Sequence, residues 1–285
     1  MQNDELKTTS SGSSFCVLPS ALGVVTLLTD FGTSDYFVGA MKGAVLRVNP
    51  QARIVDITHE IPPHDITAGA FTLMAAYGSF PAKTVHVAVV DPGVGSERRP
   101  ILVTSRDYFF VGPDNGLFGY VYELEEQVRV FHLTNERYFS REVSATFHGR
   151  DLFAPVAGAV SAGVEPSELG SEITDYVRLE PLAVRVVGAG QTEAAVIHVD
   201  RFGNCITNIT RADLTGELLT KGARLVVAGR EITSFRKFFA EGGTLEGELF
   251  AVWGSAGFLE IAAFKASAAR LLDIKRGERV LLLVN

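Results

Sequence analysis

The strongest constraint on this chain is a regular alternation, from Gly23 onward, between short apolar runs of strand length and longer stretches with helical periodicity. Residues 24–28 form a mostly apolar run that ends in Thr29-Asp30-Phe31-Gly32. Apolar residues then recur at Phe37, Ala40, Met41, Ala44, Val45 and Val48, the spacing of one helix face, and the pattern stops at Asn49-Pro50. Strands are predicted at 54–57, 85–90, 102–104, 109–111 and 128–133, and helices at 68–78, 117–123 and 153–162. Strands alternating with helices predict an α/β fold, a largely parallel sheet flanked by helices. After about Arg178 helical periodicity fades, and strand-like runs at 183–187, 193–200, 224–227, 249–252, 259–263 and 279–284 predict a smaller all-β, barrel-like domain. The expected organisation is a tail over 1–20, an α/β catalytic domain over 21–180 and a β-barrel substrate-binding domain over 190–285, with the boundary within 176–190.

Composition removes several function classes. A net charge of −7 provides no basic surplus to displace counterions from phosphates, so no nucleic-acid partner is expected. The longest apolar runs are strand-sized and too short to span a bilayer, so no membrane partner is expected either. Residues 1–20 are polar and serine-rich, without the apolar stretch of a secretion signal, and read as a disordered or loosely docked tail. Cys16 and Cys205 form no spaced framework; reduced thiols in a cytoplasmic protein are the simple expectation.

In a parallel sheet, ligands bind beyond the carboxyl ends of the strands. Asp30, Asp56 and Asp91 are predicted at such ends. Asp56 reads best as a turn former. Asp30 and Asp91 each follow an apolar run and open a glycine-bearing loop. Arg98 follows Asp91 by seven residues, a spacing open to a surface ion pair or to a site. His148, in Thr146-Phe147-His148-Gly149-Arg150-Asp151, stands at a helix entrance, where histidine can serve as base, metal ligand or cap. His59 and His64 lie beside Glu60 and Asp65, but intervening prolines prevent the one-turn spacing of zinc hydrolases, and no metal is expected. Later, Asp200-Arg201-Phe202-Gly203-Asn204 and the run from Gly254 and Ser255 to Glu260 place carboxylates, a hydroxyl, an amide and a ring together. They read either as solvated turns or as a pocket for a flat heterocycle plus a zwitterion.

Together with Thr29-Asp30-Phe31-Gly32-Thr33, Asp56-Ile57-Thr58-His59, Val90-Asp91-Pro92-Gly93-Val94-Gly95, Gly112-Pro113-Asp114-Asn115-Gly116 and Leu259-Glu260-Ile261-Ala262, these segments resemble the S-adenosylmethionine (SAM) hydroxide adenosyltransferases, relatives of the fluorinases and chlorinases. The resemblance spans nearly everything from Val24 to Val284. It implies hydrolysis of SAM at ribose C5′ to adenosine and L-methionine, with no cofactor, in a homotrimer whose sites lie between subunits. It also implies a catalytic Asp91, Arg98 and His148, with Asp30 on the ribose hydroxyls. Asp200 and Ser255 would meet the methionine ammonium and carboxylate, and Phe202 and Asn204 the adenine. Glu260 is a further candidate substrate contact. Phe264-Lys265-Ala266-Ser267-Ala268-Ala269 departs from the family's more asparagine- and glycine-rich stretch. The rival readings are a SAM-dependent halogenase, a SAM or adenosine sensor without turnover, and a metal-dependent hydrolase using His59, Asp91 and His148.

Overall fold

The computed structural model describes residues 23–242 and 245–284; the predicted tail and Cys16 lie outside them. In the first half the chain runs β1 (Val24–Thr29), α1 (Phe37–Val48), β2 (Arg53–Thr58), α2 (Ile66–Ala76), β3 (Val85–Val89), β4 (Pro100–Thr104), β5 (Phe109–Pro113), α3 (Gly119–Leu124), β6 (Arg129–Leu133), α4 (Ala154–Ser161), α5 (Pro166–Leu169) and β7 (Gly170–Ile173). The seven strands form one sheet in the order β2-β1-β3-β5-β4-β6-β7. β2, β1, β3 and β5 pair in parallel, while β4, β6 and β7 join antiparallel. The predicted parallel sheet is thus parallel on one side only, because the short loop between β4 and β5 permits only a hairpin.

Helices cover both faces. Met41, Ala44 and Val45 of α1 pack with α4 against Val25, Leu27, Val85 and Val87. On the other face Phe71 and Leu73 of α2 and Val121 of α3 pack against Leu28, Ala88, Ile101 and Phe110. The connection from β1 through α1 goes to one side of β1, and the connection from β2 through α2 arrives on the other, at β3. The strand order therefore reverses between β1 and β3, and it is beyond the carboxyl ends at such a reversal that open α/β sheets bind ligands. Asp30 and Asp91 follow those two ends. Asp56 instead lies within β2, paired with Leu27, so it is not the turn former that its sequence context implied.

The second half contains β8 (Arg185–Gly188), β9 (Gln191–Val199), β10 (Cys205–Thr210), α6 (Gly216–Thr220), β11 (Arg224–Val227), β12 (Arg230–Ile232), β13 (Phe235–Arg236), β14 (Leu249–Trp253), β15 (Phe258–Ala263), α7 (Ala268–Leu272) and β16 (Arg279–Leu283). Its sheet runs β12-β11-β16-β9-β10-β15-β14-β13, with β8 also on β9. All these pairs are antiparallel except β13 with β14, and the sheet curls around a core of Val196, Ile209, Leu225, Ile261 and Val280. The all-β expectation holds apart from two one-turn helices. The two halves meet through α2: Phe71 stacks on His198 with ring centroids 4.8 Å apart, and Arg276 reaches Asp65 at 2.6 Å.

Candidate active site

The loop after β3 is a tight double turn. Val94 N–H donates to Asp91 O, Ser96 N–H to Gly93 O, and the Ser96 hydroxyl caps Gly93 O at 2.7 Å. Gly95 has φ +78°, and a Cβ there would stand 2.3 Å from the Ala145 carbonyl, so this loop and the one before His148 touch backbone to backbone. That approach brings Arg98 and His148, fifty residues apart, into contact.

Arg98 Nε donates to both Asp91 oxygens at 3.0 Å, and its Nη2 contacts Asp91 Oδ2 as well. The same Nη2 lies 2.8 Å from His148 Nδ1. The side chains of Arg98 and Asp91 are only 9% and 4% exposed, which separates this pair from a solvated surface bridge. The guanidinium also lies 5.2 Å from the Phe153 ring centroid. Its Nη1 is buried without a hydrogen-bond partner.

Guanidinium does not deprotonate in proteins, so Nη2 is the donor and His148 Nδ1 the acceptor. A neutral His148 therefore carries its hydrogen on Nε2. Burial lowers the affinity of His148 for a second proton, and the Arg98 charge lowers it further, outweighing Asp91 and Asp151. His148 precedes a π-turn, Gly149–Phe153, whose widened backbone leads into α4. Such turns recur at functional sites.

Asp30, half-buried, accepts a 2.8 Å hydrogen bond from the His64 N–H on Oδ2. His59 faces Thr29 and Asp56, and His148 faces Arg98, so His59, Asp91 and His148 do not converge. Among the described residues, no group of three or more His, Cys, Asp or Glu side chains is placed to hold a metal ion.

The remaining sequence candidates gather elsewhere. Asp200, Phe202, Asn204, Ser255 and Glu260 line one cavity of about 790 Å³ in the second domain. Asp200 Oδ1 accepts from the N–H groups of Phe202 and Asn204, and its Oδ2 from Asn204 Nδ2 at 2.9 Å. Asn204 thus keeps its side-chain carbonyl for another partner. Burial, then the Asp200 charge, pushes the Glu260 carboxyl up. A Cβ on Gly254 would sit 1.8 Å from Glu260 Oε1, so glycine makes room for that carboxyl. Trp253, Lys265 and Arg270 also line the cavity and were not singled out from sequence as site residues. Trp253, the chain's one tryptophan, was the available signal. None of Asp30, Asp91, Arg98 or His148 lines this cavity. Within one chain there are two separate constellations.

A two-domain architecture with a polar trio at the sheet's reversal point and a second, ring-lined cavity defines an enzyme class that the comparisons identify. Sequence models of the SAM hydroxide adenosyltransferase N-terminal and C-terminal domains match residues 25–170 and 194–281. The chain belongs to this family. It is 38% identical over 267 residues to the (R)-S-adenosyl-L-methionine hydrolase of Methanocaldococcus jannaschii, covering 89% of this chain and 93% of that one. The hydrolase of the same name from Thermus thermophilus is 37% identical, with 91% and 99% covered. A fluorinase from an Actinoplanes species is more distant, 26% identical over 89% of this chain and 95% of its own. The crystal structure of an uncharacterized conserved protein from Thermotoga maritima superimposes with a TM-score of 0.83 at 35% identity, covering 91% of this chain and 99% of that one.

Proposed function

We propose that this enzyme hydrolyses SAM at ribose C5′, giving adenosine and L-methionine. The observation that carries the reading is the buried bridge from Asp91 through Arg98 to His148 at the carboxyl ends of the strands. Water oxygen forms a bond to C5′ as the C5′–S bond breaks, and the electron pair passes to sulfur. The sulfonium leaves as a neutral thioether and needs no acid. Difficulty lies with the nucleophile, so position and electrostatics must come from the protein.

His148 Nε2–H and the unpartnered Arg98 Nη1 are the two donors that would hold the attacking oxygen. Asp91 fixes the guanidinium and offsets its charge. A neutral His148 could accept a proton at Nε2 only in a tautomer that turns an Nδ1–H into the guanidinium, which favours a hydrogen-bonding over a general-base role. The initial product of attack is a protonated alcohol, a strong acid, so its proton needs only a weak acceptor. No cofactor or metal is called for, because the substrate brings its own leaving group.

Asp30 would grip the ribose hydroxyls. The cavity of the second domain would hold adenine against Phe202 and Asn204, and the amino-acid end against Asp200, Ser255 and Glu260. Because the two constellations are separate in one chain, we assign the complete site to neighbouring copies in a homotrimer. The cytoplasm, where SAM is made, is the proposed setting; among the described residues, no helix is long and apolar enough to cross a membrane.

The test is chromatography of products after incubation with SAM, with and without chloride or fluoride and with chelator. Adenosine and L-methionine, formed at rates independent of all three additions, are expected. A 5′-halogenated nucleoside would establish the halogenase reading instead, and tight binding without product the sensor.

A further inference from the structure

A line of side chains runs from the surface to the buried base of the Asp30 loop. Lys42 Nζ donates to Asp56 Oδ2 at 2.6 Å, and Asp56 Oδ1 lies 3.2 Å from His59 Nε2. His59 Nδ1 lies 2.8 Å from Thr29 Oγ1, which accepts from the Phe31 N–H at 3.2 Å. Side-chain exposure falls from 36% at Lys42 and 39% at Asp56 to 3% at His59, and Thr29 is fully buried.

The hydrogens in this line have one satisfactory arrangement. If His59 carried its hydrogen on Nδ1, the Thr29 hydroxyl hydrogen would be buried without an acceptor, and the Nε2 lone pair would face a carboxylate. Leaving a buried donor unpaired forfeits its hydrogen bond to water with nothing in return. The hydroxyl therefore donates to Nδ1, and Nε2–H faces Asp56. Burial pushes the Asp56 carboxyl up, but the hydrogen bond and charge of Lys42, with the His59 N–H 3.2 Å away and not aligned as a hydrogen bond, prevail and hold it below its ordinary range.

The same segment grips the Asp30 loop by its backbone. Gly32 N–H donates to His59 O at 2.8 Å, Ile61 N–H to Thr29 O at 3.4 Å, and His64 N–H to Asp30 Oδ2 at 2.8 Å. Asp30 is thus flanked by Thr29, tied to the His59 ring, and by Phe31, whose N–H holds the Thr29 hydroxyl, and its own carboxylate is aimed by the loop that His59 begins.

We propose that Lys42, Asp56 and His59 are positioning residues that act through Thr29 to fix the Asp30 carboxylate for the ribose diol. The inference rests on the ribose role of Asp30 given above. Two vicinal hydroxyls demand a carboxylate held in one orientation, and ordering it before substrate arrives removes that cost from binding.

The experiment measures SAM KM and kcat for Thr29→Val, Thr29→Ser, His59→Ala, Asp30→Ala and the Asp30→Ala/Thr29→Val pair, with melting temperatures as a check on folding. Thr29→Val, which keeps shape and removes the hydroxyl, is expected to raise KM about tenfold while kcat falls less than about threefold. Thr29→Ser restores KM, and Thr29→Val adds nothing on top of Asp30→Ala. If Thr29→Val fails to fold, Asp56→Asn at the exposed end carries the test, with KM raised about threefold. An unmoved KM in the folded variant, or a full effect persisting in the Asp30→Ala background, overturns the proposal. If Asp30→Ala raises KM and Thr29→Val does not, the relay alone is refuted. If Asp30→Ala leaves KM unchanged, the ribose contact is refuted and this role with it.

Discussion

Arg98 sets the state of its neighbours because it alone cannot give up its proton. Replacing it with lysine retains charge but not the fork that meets Asp91 and His148 together. Arg98→Lys should lower kcat by about a hundredfold or more, and Asp91→Ala and His148→Ala by about 10²–10³, with SAM still bound. Product formation under saturating SAM, alongside calorimetric binding, checks this; unchanged turnover would remove the assigned roles. The pH profile follows from the sign of the His148 shift. The imidazole must be neutral to accept from Arg98, and burial and the Arg98 charge hold its pKa below the ordinary histidine range. The kcat/KM of the enzyme should therefore stay level through neutral pH and fall only in acid solution, below the range where an ordinary histidine titrates. A fall that sets in at or above neutrality would imply a charged imidazolium instead. Asp91, Arg98 and His148 were legible in the sequence only as a set of motifs in a fixed order. Asp56 was misread because its partners, Lys42 on α1 and Leu27 on β1, become neighbours only once α1 and β1 pack beside β2.

At the scale of elements, the close approach at Gly95 joins the loop that leads to Arg98 with the one before His148. A side chain there meets both a positive φ and the Ala145 carbonyl. Gly95→Ala should cost about 1–3 kcal/mol in stability and separate Arg98 from His148. Thermal melts and product assays should show the two losses together; full activity in a destabilised variant would mean that the loops are not coupled. The strand–helix alternation was readable because β1, β3 and β5 are buried on both faces and their runs are mostly apolar, interrupted within β1 by Thr26 and within β3 by His86. β10 escaped notice because buried polar residues interrupt its pattern. Thr207 donates to Leu259 O, and Asn208 accepts from Ala195 N–H while donating to Ala183 O. Those groups serve backbone partners that lie far off in the chain, which periodicity does not register. The π-turn likewise has no periodic signature, and it lies ahead of the helix predicted over 153–162, sharing only Phe153 with it.

For the whole molecule, the separation of the trio from the second-domain cavity makes a prediction about mixtures. Asp91→Ala disables the first constellation, and Ser255→Trp fills the second. Each variant alone should be inactive. Mixed and allowed to exchange subunits, they should recover about a quarter of wild-type turnover if each site draws one constellation from each of two copies. No recovery after verified exchange would place the whole site in a single chain. Sedimentation across a concentration series gives the assembly state independently.

The distance between those two constellations also bears on when the enzyme acts. On the assembly proposed above, a freshly synthesised chain, folded but alone, would carry every group assigned a role and still leave the cell's methyl donor untouched. Destruction of that metabolite would begin only when enough copies had accumulated to meet, so expression level would act as a threshold rather than a dial.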